Sequence, residues 1–330
     1  MRELDAIIEE LIRRKSGGIL ATLVTVEGSS YRRPGARLFV ARDGRRIGSI
    51  SGGCLEDDVL LRGQAVAETG RPDLVIYDTT SENDLVWGLG LGCHGVVRVL
   101  IERLEPNPEW AGAVAESLRA DRPAELEVVW DGGARLGTRI PHDGNGRESQ
   151  GIFRELIRPA PRLVVFGAGD DARPLVRLAK EFGWRVTVAD PRPAYATAPR
   201  FPEADRVLCA PAGELVARAA PGPDALAVIM THHYVHDLPI LRDLIALPLP
   251  YLGLLGPKTR TKKILDDLAA SGFTATPEQR AQLRTPVGLD LGGDTPETVA
   301  LSIFAEMHAV LAGRDGRPLR ERGRPIHEQR

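Results

Sequence analysis

Three glycine-bearing stretches hold most of the side chains that can do chemistry. Residues 28–35 read Gly-Ser-Ser-Tyr-Arg-Arg-Pro-Gly. The hydroxyls of Ser29 and Ser30 and the guanidiniums of Arg32 and Arg33 suit an anion, because arginine forks match phosphate and glycine bares backbone N–H groups. The same residues also suit an exposed loop with solvated arginines. Residues 52–56 read Gly-Gly-Cys-Leu-Glu and lead into an expected helix over 55–68. Cys54 then sits at a helix N-terminus, where the dipole and free N–H groups favour the thiolate and lower its pKa. Cys93 lies in Gly88-Leu89-Gly90-Leu91-Gly92-Cys93-His94-Gly95, a run that makes sense where backbone must approach something closely. Soft sulfur suits a soft metal centre or sulfur transfer. A buried, inert thiol is the plain alternative for each, and it is the reading taken for Cys209.

A fourth stretch binds in another way. Residues 162–166 form an apolar strand that runs into Gly167-x-Gly169-x-x-Ala172, followed by a helix over 172–182 and a second strand over 184–189 ending on Asp190. Gly167 permits the tight turn, Gly169 lets a pyrophosphate approach the backbone, and Ala172 keeps helix and strand close. The helix N-terminus offers N–H groups to phosphate, and a carboxylate about 20 residues on, here Asp190, takes a ribose hydroxyl. This order of parts is a Rossmann-type dinucleotide fingerprint. Two carboxylates, Asp170 and Asp171, stand beside the phosphate position and oppose an anion electrostatically. Thr231-His232-His233-Tyr234-Val235-His236-Asp237 follows the fourth strand of this half, at the strand end where such folds bind ligands. A ligand-facing or capping role for His232 is expected. A metal held by His232 and His236 at i, i+4 would need a third ligand that the spacing does not supply. Gly256-Pro257-Lys258-Thr259-Arg260 brings cations to the next strand end, or is a basic surface turn.

The elements that must position these residues fall into two halves. The first is strand-rich, with apolar runs over 19–26, 38–41, 47–50, 74–77 and 96–101, helices over 55–68 and 109–119, and a strand over 126–130. Its N-terminal segment is an amphipathic helix stopped by Gly17-Gly18, unlike a signal peptide. Residues 131–150 lack periodicity and read as a hairpin or loop, with a linker near Pro159–Pro161. The second half alternates strands (163–166, 185–189, 206–209, 225–230, 251–254) with helices and closes with a long helix over 296–311, capped by Thr295 with Pro296 following. The expected fold is therefore α/β: an N-terminal α+β domain over 1–150, a Rossmann-like doubly wound parallel sheet over 160–312, and a polar tail over 313–330.

Composition sets bounds. The 330 residues are 43% hydrophobic and 27% charged, with net charge −2 and three cysteines. Near-neutral charge without a basic stripe argues against nucleic acid, and no apolar run reaches the roughly 20 residues of a membrane span. Few, scattered cysteines fit a reduced, cytoplasmic setting. Two compact halves on one linker favour a homodimer with a cleft at a junction.

Taken together, the residues resemble the XdhC/CoxI family of maturation factors for molybdenum hydroxylases such as xanthine dehydrogenase. In the first half the resemblance rests on Glu27-Gly28-Ser29-Ser30, Pro34-Gly35-Ala36, residues 48–56 and Gly90-Leu91-Gly92-Cys93. In the second it rests on Gly167-Ala168-Gly169, Ala189-Asp190-Pro191-Arg192, Thr231-His232 with Asp237, residues 251–256, and residues 286–292 with Thr295-Pro296-Glu297. The resemblance implies a non-enzymatic chaperone that binds the molybdenum cofactor, in mononucleotide or dinucleotide form. It would protect the cofactor, support its sulfuration and insert it into an apo molybdenum hydroxylase, with a cysteine desulfurase as a further partner. The family's two cysteines map onto Cys54 and Cys93, as molybdenum or sulfur contacts lining one pocket, and a sulfur relay through either shades into this reading. Cofactor contacts are then expected from Ser29, Ser30, Arg32, Arg33, Gly52, Gly53, Cys54, Gly92 and Cys93, with Gly167, Gly169, Asp190 and His232 serving a nucleotide in the Rossmann half. The competing reading is an NAD(P)-dependent oxidoreductase using that half alone.

Overall fold

A computed structural model describes residues 2–78, 95–131, 136–141 and 151–323. The chain divides into two compact units, Met1–Pro159 and Ala160–Arg330. It is a mixed α/β protein, with antiparallel sheets in the first unit and a six-stranded parallel sheet in the second.

The first unit is built on β1 (Gly18–Gly28), a near-continuous apolar run, because both faces of its sheet are covered. β1 lies between β2 (Arg37–Ala41) and β5 (Gly95–Leu104), with β3 (Arg46–Gly48) and β4 (Asp73–Asp78) at the edges, all neighbours antiparallel. Side chains alternate across a strand. Leu20 and Phe39 therefore meet α1 (Arg2–Ile12) and α3 (Glu109–Arg119) through Ile7, Leu11, Trp110 and Val114. Ala21, Leu23, Leu38, Val97 and Val99 meet Val59 and Val66 of α2 (Glu56–Thr69) on the other face. A small sheet, β7 (Gly137–Arg139), β6 (Ala124–Val129) and β8 (Ile152–Ile157), completes the unit. β7 and β8 occupy segments in which the sequence shows no strand pattern.

In the second unit β9 (Arg162–Phe166), β10 (Arg185–Asp190), β11 (Arg206–Cys209), β12 (Ala225–Ile229), β13 (Tyr251–Leu254) and β14 (Leu283–Arg284) stand in the order β11-β10-β9-β12-β13-β14. This is the doubly wound order in which the strand sequence reverses between β9 and β12, and ligands bind outside the carboxyl ends at that reversal. Two cores cover the two faces. One gathers Leu215, Ile240, Leu244 and Ile264 from α5 (Ala212–Ala219), α6 (Tyr234–Ile245) and α7 (Lys258–Ala270). The other gathers Leu175 and Val176 from α4 (Ala172–Glu181) with Ile303 and Met307 from α9 (Pro296–Leu311). A short α8 (Pro277–Gln282) carries a capping box at Thr276 and Gln279, and α9 is capped by Thr295. The polar tail passes Leu289: a methyl added at Gly316 would lie 3.0 Å from that side chain. Among the described residues no helix is long and apolar enough to cross a membrane.

One reading is corrected here. Cys209 is not a buried thiol: it ends β11, an edge of the sheet, and is exposed.

Candidate functional sites

In the first unit the glycine-bearing loops converge. β1 ends at Gly28, and Gly28 pairs with Gly95 at the start of β5. The pairing is so close that a methyl at Gly95 would sit 2.2 Å from the Ser29 carbonyl oxygen, so no side chain fits there. The 28–35 loop then carries Tyr31, 71% exposed, alongside the next loop: a methyl at Gly52 would lie 3.9 Å from Tyr31 Cδ1. Ser29, Gly52 and Gly53 are exposed, and Ser30 is half-buried. Cys54 is half-buried and packs on the α2-side core. Gly92 and Cys93 lie outside the described residues, so the shared pocket of the two thiols is not placed.

The Cys54 loop owes its shape to two residues that sequence reading passed over. The Ser51 hydroxyl accepts from the N–H groups of Gly53 and Leu55, each at 3.1 Å, and donates to the Glu56 carboxylate. The other Glu56 oxygen accepts from the Ser49 hydroxyl and the Ser51 N–H, both at 2.9 Å, and from the Ile50 N–H at 3.2 Å. Burial pushes this carboxyl up, but the hydrogen bonds from Ser51 and Ser49 outweigh it and hold the group below the usual carboxylate value. The loop is thus a self-bonded platform presenting Gly52, Gly53 and Cys54. The only advance signal was the Ser-x-Ser…Glu spacing ahead of a helix.

The two arginines of the first loop differ. Arg32 is committed to Glu3 of α1, Nη2 to Oε2 at 2.6 Å. Arg33 Nε is buried without a hydrogen-bond partner among the described residues. The chemistry available in these loops is a half-buried thiol, bare glycine backbone and two guanidiniums, of which Arg32 is ion-paired.

In the second unit Gly167, Gly169, Asp190 and His232 are brought together at the strand reversal. Gly167, at φ +129°, abuts the chain after β12: a methyl there would lie 2.4 Å from the Met230 oxygen. Asp190 is fully buried. Its Oδ2 accepts from Ala168 N–H at 2.7 Å and Arg192 Nη2 at 2.7 Å, and its Oδ1 from Arg192 N–H at 2.8 Å and Nε at 2.9 Å. All four acceptor positions of the carboxylate are in use, so none is left for a ribose hydroxyl. Burial raises this carboxyl, yet the Arg192 guanidinium and the two N–H groups hold it below the usual value. Arg192 also stacks 4.0 Å over the Tyr195 ring, and the Arg200 guanidinium lies 5.1 Å from the same ring.

Neighbouring charges are paired as well. Asp170 meets Arg200 at 2.9 Å, Asp171 meets His232 Nε2 at 2.6 Å, and buried Asp237 takes Arg260 together with the Thr231 hydroxyl. The bond to Asp171 lifts His232 above the ordinary imidazole value, against a smaller opposing effect of burial. Desolvation raises Asp237 despite Arg260. His232 precedes α6, which starts at Tyr234, so His232 and His236 do not share a helix. Among the described residues no group of three or more His, Cys, Asp or Glu is placed to hold a metal.

Both units are similar to known proteins. The description "XdhC and CoxI family" matches residues 11–78 and "XdhC Rossmann domain" matches residues 163–307. A probable xanthine dehydrogenase subunit from Bacillus subtilis (strain 168) is 36% identical over 326 residues, spanning 92% of this chain and 95% of its own. The molybdenum cofactor insertion chaperone PaoD of Escherichia coli (strain K12) is 27% identical over 304 residues, spanning 92% and 86%. A crystal structure described as a xanthine dehydrogenase from Bacillus halodurans superposes with a TM-score of 0.83 at 30% identity, covering 96% of this chain and 97% of that one.

Proposed function

The chain belongs to the XdhC and CoxI family, and from that premise we propose that it matures a molybdenum hydroxylase by carrying the molybdenum cofactor as cargo. The cofactor is held by the first unit, protected while its terminal sulfur is installed, and passed to the apo-enzyme. The observation that carries this reading is the convergence of the Ser29–Tyr31 turn, the Gly52–Cys54 platform and Gly95. Molybdopterin is a dithiolene with a phosphate or dinucleotide tail. It needs soft or reactive sulfur, backbone that can come close and a cation, and Cys54, Gly53 and Arg33 are of those kinds. Cys93, two residues before Gly95 in the sequence, is the second thiol of the proposal. A cysteine desulfurase supplies the sulfur, the working unit is a homodimer, and the setting is the reduced cytoplasm.

The oxidoreductase reading has less to stand on, because Asp190 spends its acceptors on Ala168 and Arg192 rather than keeping one for a ribose. The test is to purify the protein from cells making the cofactor and identify bound pterin by its oxidised fluorescence. Pterin should accompany the wild type and be lost from Cys54→Ala, with unchanged far-UV dichroism. Wild type purified without pterin, or hydride transfer from NAD(P)H lost on His232→Ala, overturns the proposal.

A further inference from the structure

A dinucleotide-binding turn leaves its second glycine bare so that pyrophosphate can come against the backbone. At Gly169 the chain fills that space itself. A methyl there would lie 2.6 Å from Asp171 Oδ1 and 3.8 Å from Asp171 Cγ. The second carboxylate oxygen, Oδ2, is held 2.6 Å from His232 Nε2, which reaches across the strand reversal from the end of β12. Asp171 occupies the N-cap position of α4 but makes no side-chain capping bond, so terminating the helix does not explain its orientation. Its side chain is 18% exposed, whereas that of Asp170 is 75% exposed and turned to Arg200. His232 takes φ +59°, a left-handed conformation that is uncommon outside glycine and is held where the surroundings demand it.

We propose that Asp171 is an intramolecular stand-in for a ligand phosphate. Its carboxylate occupies the place against Gly169 that a pyrophosphate takes, His232 latches it there, and the Rossmann half accepts a phosphate-bearing ligand only when the latch opens. A ligand phosphate then displaces the carboxylate and inherits its cation, His232, beside the N-terminus of α4. The other charged groups facing His232 are Asp237 and Arg260, already paired with each other. Asp170 plays no part in the plug. This inference concerns the second unit alone and stands or falls separately from the molybdenum reading.

The experiment is titration calorimetry of the full chain at low salt with inorganic pyrophosphate and, separately, NAD+. Wild type should bind neither at millimolar concentration. Asp171→Ala should bind pyrophosphate at least about tenfold more tightly, as expected for removing one like charge from contact distance. Asp170→Ala should behave as wild type, and adding His232→Ala to Asp171→Ala should erase the gain. Asp171→Asn, which removes the charge and keeps the volume, gives the same readout if the alanine variant folds poorly, with a smaller gain. No gain in either Asp171 variant, an equal gain in Asp170→Ala, or a gain indifferent to His232 overturns the plug. A gain for pyrophosphate without NAD+ identifies a phosphate ligand smaller than a dinucleotide, and a gain for both identifies a dinucleotide.

Discussion

Asp190 grips Arg192 with both carboxylate oxygens, 2.9 Å from Nε to Oδ1 and 2.7 Å from Nη2 to Oδ2, and the same carboxylate holds the glycine-rich turn by the Ala168 N–H. A residue at the position of a ribose reader therefore serves as the clasp between the end of β10 and the turn after β9.

That clasp has a measurable pH signature. Because the folded carboxyl lies below its ordinary value of 3.8, its stabilisation is complete above that value and is lost as pH falls through the lower folded pKa. Asp190→Asn leaves Arg192 without its counter-charge, at a cost of about 3 kcal/mol for breaking a partly buried pair. Urea unfolding at pH 7 and pH 3 should show a large difference between wild type and variant at pH 7 that shrinks at pH 3. A difference independent of pH rules out the ionic clasp.

The Asp171–His232 latch titrates in the opposite sense. Its contribution is full below the unfolded imidazole value of 6.5 and disappears as pH rises through the raised folded value. The His232 ring resonances in a proton NMR titration should move at higher pH in wild type than in Asp171→Asn. If the two midpoints coincide, the ring is not bonded to Asp171 in solution.

Much of this was legible in the sequence, for reasons that also explain the gaps. The turn after β9 is spelled out by Gly167 and Gly169, and β9, β10, β12 and β13 are apolar runs with clear stops. β8 was hidden because the consecutive charged residues Arg154 and Glu155, on opposite faces of the strand, leave no apolar alternation to read. Glu155 lies against buried Arg37, and Arg154 pairs with Glu127 at 3.1 Å, so polar residues take positions where a core pattern expects apolar ones. Cys209 was misplaced because four residues ending in an apolar run look the same at a sheet's edge as at its centre. The roles of Glu56 and Asp171 depend on chains folding back across turns, which spacing alone does not encode.

Glu56 provides the third test. Replacing it by Gln should loosen the platform under Cys54, since the Ser51 hydroxyl and two N–H groups lose a charged acceptor. The cost is about 1–3 kcal/mol. Alkylation of Cys54 by iodoacetamide, read by peptide mass spectrometry, should accelerate in Glu56→Gln relative to wild type, while exposed Cys209 reacts at an unchanged rate. Equal Cys54 rates mean that the loop is held by something other than the Ser51–Glu56 bonds.

The two adjacent arginines of the 28–35 loop make the last prediction. Arg32 is spent on Glu3, so Arg32→Ala should cost up to about 1 kcal/mol of stability, as part-exposed pairs do. It should leave cofactor retention within about threefold, because that guanidinium is already neutralised. Arg33, whose Nε has no hydrogen-bond partner among the described residues, is the cation that the proposed function assigns to the cofactor's phosphate. Arg33→Ala should lower bound pterin about tenfold, the value of one charge-assisted hydrogen bond. The thermal midpoint should hold or rise, since an unmet buried donor is removed. Pterin per mole of protein, read as oxidised fluorescence, should fall with added salt in wild type and respond less in Arg33→Ala. The reverse pattern, with pterin lost from Arg32→Ala and kept by Arg33→Ala, would mean that the loop shapes the fold rather than holding the cofactor's phosphate.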